Sequence, residues 1–162
     1  MKVLLLLGSA ADEKYLGKCT EILKKMEVPY AVRVASAHRS PERVIALLKE
    51  FQDVKTVVCF AGHAAHLAGV VAAHVAIPVI AVPLPSSDLR GFDSLLASVQ
   101  MPGGVPVATM AIGDAGSQNA GCFVTQMLAM NDPGLSERWK GYKRELAKKV
   151  ADSSTEVEKK WQ

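Results

Sequence analysis

The chain has 162 residues, 49% hydrophobic and 22% charged, with a net charge of +3. That balance excludes disorder and predicts one domain whose core needs no disulfide staples. The lysine-rich C-terminal stretch is interleaved with Glu137, Glu145, Glu156 and Glu158, which reads as a solvated helix face and excludes a nucleic-acid-binding tail. Cys19, Cys59 and Cys122 are odd in number and widely spaced, as reduced cytoplasmic thiols are. The N-terminal apolar run is shorter than the ~7–15 residues of a secretory core. No apolar stretch is long enough to span a membrane without interruption.

Val3 to Leu7 predicts a strand buried on both faces. Gly8-Ser9-Ala10-Ala11-Asp12 then turns into a helix reaching about Met26, with Tyr15, Leu16, Cys19, Ile22, Leu23 and Met26 as its apolar stripe. The first amides of such a helix are free to meet an anion. The glycines of a dinucleotide fingerprint are missing, and Ser9 and Asp12 taken alone read as caps. Val28 to Ala35 is the second strand and Pro41 to Phe51 the second helix, with Ser40 as its cap. Thr56 to Phe60 is the third strand. Ala61 to Ala73 reads as a helix of very small residues, which lets a backbone or a ligand approach closely.

Ile77 to Pro83 predicts a fourth strand and Phe92 to Val99 a helix with Asp93 and Ser94 as its cap. The turn-rich Gln100 to Pro106 loop leads to a fifth strand, Val107 to Ile112, and a helix from Gln118 to Met130. Ser136 to Trp161 is the last helix, with Leu135, Trp139, Tyr142, Leu146, Val150 and Val157 at helical spacing. At ~1.5 Å per residue it extends about 35 Å, which predicts that it lies on another subunit. Strands alternating with helices make a three-layer α/β sandwich around a parallel five-stranded sheet. Residues 1–162 are one domain, an α/β core over 1–132 and a long C-terminal helix over 133–162.

Ser36-Ala37-His38-Arg39-Ser40-Pro41 stands where the second strand gives way to its helix. Ligands of an open parallel sheet bind outside such carboxyl ends. Arg39 offers a planar five-donor fork suited to a phosphate. His38 is the one side chain of the run belonging to a type whose unperturbed pKa lies near neutrality, so it can both give and take a proton. Three strand ends carry polar, small-residue turns, Gly8 to Asp12, Ser36 to Arg39 and Gly62 to His66, and they converge on one edge. The plainer readings are a helix-start histidine for His38, a surface ion-pair partner for Arg39 and a helix-end residue for His74.

Ser36-Ala37-His38-Arg39-Ser40-Pro41, Ala64-Ala65-His66-Leu67, Asp93-Ser94-Leu95-Leu96, Gln100-Met101-Pro102-Gly103-Gly104-Val105-Pro106-Val107 and Asn119-Ala120 resemble the PurE family. These are the carboxyaminoimidazole ribonucleotide mutases of bacterial purine synthesis, and the likeness runs from Val3 to about Tyr142. The resemblance implies a flavodoxin-like fold, a homo-octamer, a cytoplasmic enzyme and no metal or organic cofactor. It implies an isomerase that moves a carboxyl group from the exocyclic nitrogen of an aminoimidazole ribonucleotide to a ring carbon. His38 takes the place of the catalytic acid/base and Arg39 that of the phosphate ligand, with Ser36 beside it. Ser9 and Asp12 take the ribose neighbourhood. Ala37, Gly62, His63, Ala64, His66 and Leu67 complete the substrate wall, where tiny residues leave room for carbon dioxide and His66 shapes the loop through internal hydrogen bonds.

This chain departs from the family pattern at Ala11, Phe60, His63 and Ala68. His63 replaces a glycine, and an imidazole there either narrows the carbon dioxide pocket or donates to a carboxylate. One rival is a carboxylase that uses dissolved carbon dioxide. Its animal-type form carries lysine where Arg39 stands and Gly-Arg-Ser-Asn where Gly62-His63-Ala64-Ala65 stands, and neither is present. The other rival is a non-catalytic nucleotide-binding module, which would bind ligand without turnover.

Overall fold

The computed structural model describes residues 1–162 and resolves into two compact units, Met1–Val124 and Thr125–Gln162. The first unit is built on strands β1 (Val3–Leu7), β2 (Tyr30–Val34), β3 (Thr56–Ala61), β4 (Val79–Pro83) and β5 (Ala108–Thr109). All pairings are parallel and the order is β2-β1-β3-β4-β5. Helices α1 (Leu16–Lys25), α2 (Pro41–Glu50), α3 (Leu67–Ala72) and α4 (Phe92–Val99) connect them in a three-layer α/β sandwich. Helix α5 (Asp114–Ala129) runs from the first unit into the second.

The central strands read as unbroken apolar runs because both their faces are covered. Leu4, Leu6, Val57, Cys59 and Ala81 cluster with Val44 and Leu47 of α2 and Leu67 and Val71 of α3. The alternate residues, Val3, Leu5, Leu7, Val58, Phe60, Ile80 and Val82, are equally buried on the opposite face. Each fully buried leucine of this kind contributes ~1.5–3 kcal/mol. On α1 the expected stripe is confirmed at Leu16, Cys19, Ile22, Leu23 and Met26, all buried, with Tyr15 half-buried. Burial pushes the Cys19 thiol up to about 12, with Cys122 adding to the shift, and raises Cys59 further still.

Several boundaries differ from the sequence reading, each for a local reason. A 3-10 segment, Ala10–Tyr15, precedes α1. The small-residue helix shrinks to the six residues of α3, because Gly62 to His66 form a loop. His74 therefore lies beyond that helix, its ring Nδ1 2.8 Å from the Val70 carbonyl. Strand β5 keeps two residues of the expected six-residue run, as an edge strand pairing only with β4. Asp93 and Ser94 do not cap α4: Gly91 holds that position at φ 91°. The Ser94 hydroxyl donates instead to the carbonyls of Leu84 and Gly91, at 3.0 and 2.9 Å.

The strand order reverses between β1 and β3, which opens a crevice at their carboxyl ends. The second unit contains α6 (Pro133–Trp161), capped by Asp132, whose side chain accepts the Leu135 amide. Trp139 and Tyr142 pair on it with ring centroids 5.6 Å apart. Val150, Val157 and Trp161 are exposed. No helix is long and apolar enough to cross a membrane.

Candidate active site

The β2–α2 loop fixes its own shape with two serines. Ser40 sits at the start of α2 without a side-chain cap bond. Its hydroxyl instead accepts the Ser36 amide at 3.0 Å and donates to the Ser36 carbonyl at 3.3 Å. The Ser36 hydroxyl in turn accepts the Arg39 amide at 3.2 Å and Arg39 Nε at 3.4 Å. Arg39 Nη2 donates to the Gly8 carbonyl at 3.2 Å, so the guanidinium reaches across to the end of β1. With two of its five donors so occupied, the fork is oriented and still has donors for an anion.

His38, on the same loop, meets His66 of the β3–α3 loop. Its Nε2 lies 2.9 Å from His66 Nδ1, and the rings are edge to face at 70°. One proton is shared between those nitrogens, and the tautomer decides which one donates. The contact holds the imidazole in place and leaves Nδ1 open to a ligand.

Asp12 and Ser9 come from the first loop. The Ser9 hydroxyl accepts the Ala11 amide at 3.3 Å, so it does cap the 3-10 segment. Asp12 is 6% exposed. Burial holds its carboxyl above the usual range, opposed by the Ser9 amide and by the charges of His63, Arg39 and Lys14.

The β3–α3 loop is assembled differently. A Cβ at Gly62 would overlap the Ser86 hydroxyl and come within 2.9 Å of Ser86 Cβ, so only glycine admits this approach. The next residue, His63, has φ 53°, a left-handed conformation that costs a residue with a β-carbon ~1–2 kcal/mol. Its Nδ1 lies 3.3 Å from Ser86 Oγ. Nearby, the Ser87 hydroxyl donates to Asp93 at 2.8 Å. That bond is the main cause of a lowered Asp93 pKa, and the His63 charge adds to it.

All these loops open on one cavity of about 820 Å³. Every residue singled out from the sequence lines it: His38, Ser9, Asp12, Ser36, Ala37, Arg39, Gly62, His63, Ala64, His66 and Leu67. The volume suits a ligand of nucleotide size. Sequence reasoning missed Pro85, Ser86, Ser87 and Asp88 beyond β4, and Lys14 on the first turn. The strand-end rule that pointed to the second loop points equally to the end of β4. Lys14 carried no such signal, its ammonium lying 5.2 Å from the Tyr15 ring.

Comparison with known proteins gives a consistent set of relatives. Residues 2–149 match the family described as AIRC, AIR carboxylase. The N5-carboxyaminoimidazole ribonucleotide mutase of Saccharolobus solfataricus is 41% identical over 158 residues, covering 96% of this chain and 99% of that protein. The protein of the same name from Haemophilus influenzae is 40% identical over 154 residues, covering 94% of each. The crystal structure of Treponema denticola PurE superposes with a TM-score of 0.87 at 28% identity, covering 96% of this chain and 97% of that one.

Proposed function

The chain belongs to the AIR carboxylase family, and on that footing we propose that it is an isomerase of purine biosynthesis. It interconverts N5-carboxyaminoimidazole ribonucleotide and 4-carboxy-5-aminoimidazole ribonucleotide. The observation that carries this reading is the junction of β2 and α2. There one loop presents a histidine and a pre-oriented guanidinium to a single cavity of about 820 Å³.

The chemistry asks for one group that first donates and then accepts. His38 begins as an imidazolium and gives its proton to the exocyclic nitrogen as the nitrogen–carboxyl bond breaks. Carbon dioxide is released, and the electron pair stays on nitrogen. The electron-rich ring carbon then attacks that carbon dioxide, forming the new carbon–carbon bond while still carrying its hydrogen. The neutral imidazole removes this proton, aromaticity returns and the imidazolium is regenerated. Proton transfer of this kind supplies ~10²–10⁴ in rate. The remainder comes from keeping carbon dioxide against the ring carbon, where proximity replaces a bimolecular encounter. Arg39 takes the phosphate, Asp12 with Ser9 the ribose, and the small residues Gly62 and Ala64 the side on which carbon dioxide waits.

The reading extends to a cytoplasmic homo-octamer. Three widely spaced cysteines, two of them buried, suit a reducing compartment. Phe92, Leu96 and Val99 on α4, with Leu89 before it, leave an apolar strip in solvent, and such strips mark contact surfaces. Helix α6, with Val150 and Val157 exposed, is the segment that would lie on a neighbouring copy.

Purified protein incubated with 4-carboxy-5-aminoimidazole ribonucleotide tests the reaction. Equilibration of the two carboxylated ribonucleotides without added bicarbonate is expected. A strict requirement for bicarbonate would assign the chain to the direct carboxylases, and binding without turnover to the non-catalytic modules.

A further inference from the structure

We infer that His63 is a specificity-determining residue of this site, its Nε2–H donating to the carboxyl group of the ligand. This inference rests on the reaction proposed above and adds to it the element that tells a carboxylated ribonucleotide from an uncarboxylated one.

The first observation is the backbone. His63 stands at φ 53°, a conformation that glycine adopts freely and a histidine does not. Strain of this kind persists where the surroundings impose it, and it clusters at ligand clamps. The side chain shows what is gained. Its ring lines the cavity, and its one hydrogen bond is the 3.3 Å contact between Nδ1 and Ser86 Oγ. When the Ser86 hydroxyl donates to Nδ1, the proton of the neutral ring sits on Nε2, which has no protein partner. In the imidazolium both nitrogens carry protons, and Nε2–H is again left to the ligand.

The second observation is where the Arg39 and His63 side chains are anchored. Arg39 leaves the β2 loop and is tied to Ser36 at the end of β2 and to Gly8 at the end of β1. His63 leaves the end of β3 and is tied to Ser86, beyond β4. In the order β2-β1-β3-β4 these anchors lie on opposite sides of the crevice. At ~4.8 Å per strand the separation is about 10 Å. A ribonucleotide carries its phosphate at one end and its base substituents at the other. With Arg39 on the phosphate, the far end of the ligand meets the β3–β4 side, and the group there that needs a donor is the carboxylate. The His38–His66 pair bridges the β2 and β3 loops between these ends, where the ring belongs.

The third observation is charge. The groups facing His63 are Asp12 from the first loop and Asp93 from α4, and both carboxylates feel its charge. Besides His63, the ionisable lining of the cavity is Asp12, Asp88, Lys14, Arg39, His38 and His66, with Asp93 outside it. In that lining Lys14 and Arg39 are matched by Asp12 and Asp88, so a ligand with both a phosphate and a carboxylate arrives without compensation. An imidazole able to donate at the carboxyl end supplies it.

The test compares two probes on the intact protein by calorimetry, 4-carboxy-5-aminoimidazole ribonucleotide and aminoimidazole ribonucleotide. In His63→Gly the carboxylated nucleotide should bind about 10- to 100-fold more weakly, the loss of one charge-assisted hydrogen bond. The uncarboxylated nucleotide should change less than about twofold, and Tm should hold or rise because glycine suits the backbone. His63→Asn, which tolerates the left-handed region and keeps a donor, should recover part of the loss. Equal weakening of both nucleotides, or unchanged binding of the carboxylated one, overturns the inference. The proposed reaction fails separately, if the wild-type protein binds these nucleotides but does not interconvert the carboxylated pair.

Discussion

The two loops that bring histidines to the cavity are built by opposite means. The β2–α2 loop is closed on itself by Ser36 and Ser40, each accepting a backbone amide four or fewer residues away. It is locally self-sufficient, and no residue in it has a positive φ. The β3–α3 loop has no hydroxyl of its own. It leans on Ser86 from beyond β4, needs glycine at position 62 for that approach, and holds His63 in a left-handed conformation. The first is a rigid mount for side chains that do chemistry. The second is shaped by close backbone approach, and one of its two histidines, His63, is displayed at a conformational cost.

That contrast orders the expected effects of substitution. His38→Asn removes the proton carrier from the rigid mount and leaves the mount intact. Its kcat should fall ~10²–10⁴-fold while ligand affinity stays within about threefold. A comparable loss of affinity would mean that the histidine holds ligand and does not move protons. Arg39→Ala should weaken ribonucleotide binding about 10- to 100-fold, because a guanidinium–phosphate contact is charge-assisted and the effect should diminish at high salt. Calorimetry at two ionic strengths reads both parts.

The borrowed loop should fail by a different route. Gly62→Ala forces a methyl into the Ser86 side chain and should destabilise the protein by ~1–3 kcal/mol, the usual cost of overpacking. Combining it with Ser86→Gly should restore much of the stability in denaturant titrations, since the clash is with that one residue. The same double change made in the absence of a real clash would simply add two losses.

The smallest effect belongs to Asp12. Its folded pKa is raised by burial from the ordinary 3.8. The stability associated with its neutral form is therefore present below pH 3.8 and lost as pH rises through the raised value. Asp12→Asn escapes that penalty, so Tm at pH 7 should rise slightly while ribonucleotide binding weakens. The Tm advantage should vanish as pH falls below 3.8. A variant less stable at pH 7 would show that the carboxylate is held by favourable contacts that outweigh its desolvation.

The two loops also differ in how well a sequence displays them. A histidine, an arginine and two serines before a proline announce a strand end with donors on it, and all of that was readable from Ser36 to Pro41. The apolar runs of β1, β3 and β4 were equally plain, because burial on both faces leaves no polar residue to interrupt them. From Ala61 to Ala73 the residues are too uniformly small to carry a period, so nothing separated the loop from the six-residue helix that follows. A left-handed backbone at a histidine has no sequence signature. Ser86 was invisible for the same physical reason: its role is to fill the space a glycine leaves in a different loop, and that pairing exists only after folding. The cap at Gly91 was missed because a glycine does without a side-chain bond what Asp93 and Ser94 were expected to do with one.

Retention of the migrating carboxyl group inside the site is the central claim, and isotope exchange reads it most directly. Substrate carrying carbon-13 in its nitrogen-bound carboxyl group would be turned over in the presence of excess unlabelled bicarbonate. Product with the label retained on its ring carbon is expected, because the released carbon dioxide is recaptured before it leaves. Product carrying carbon from the dissolved pool would contradict the mutase assignment.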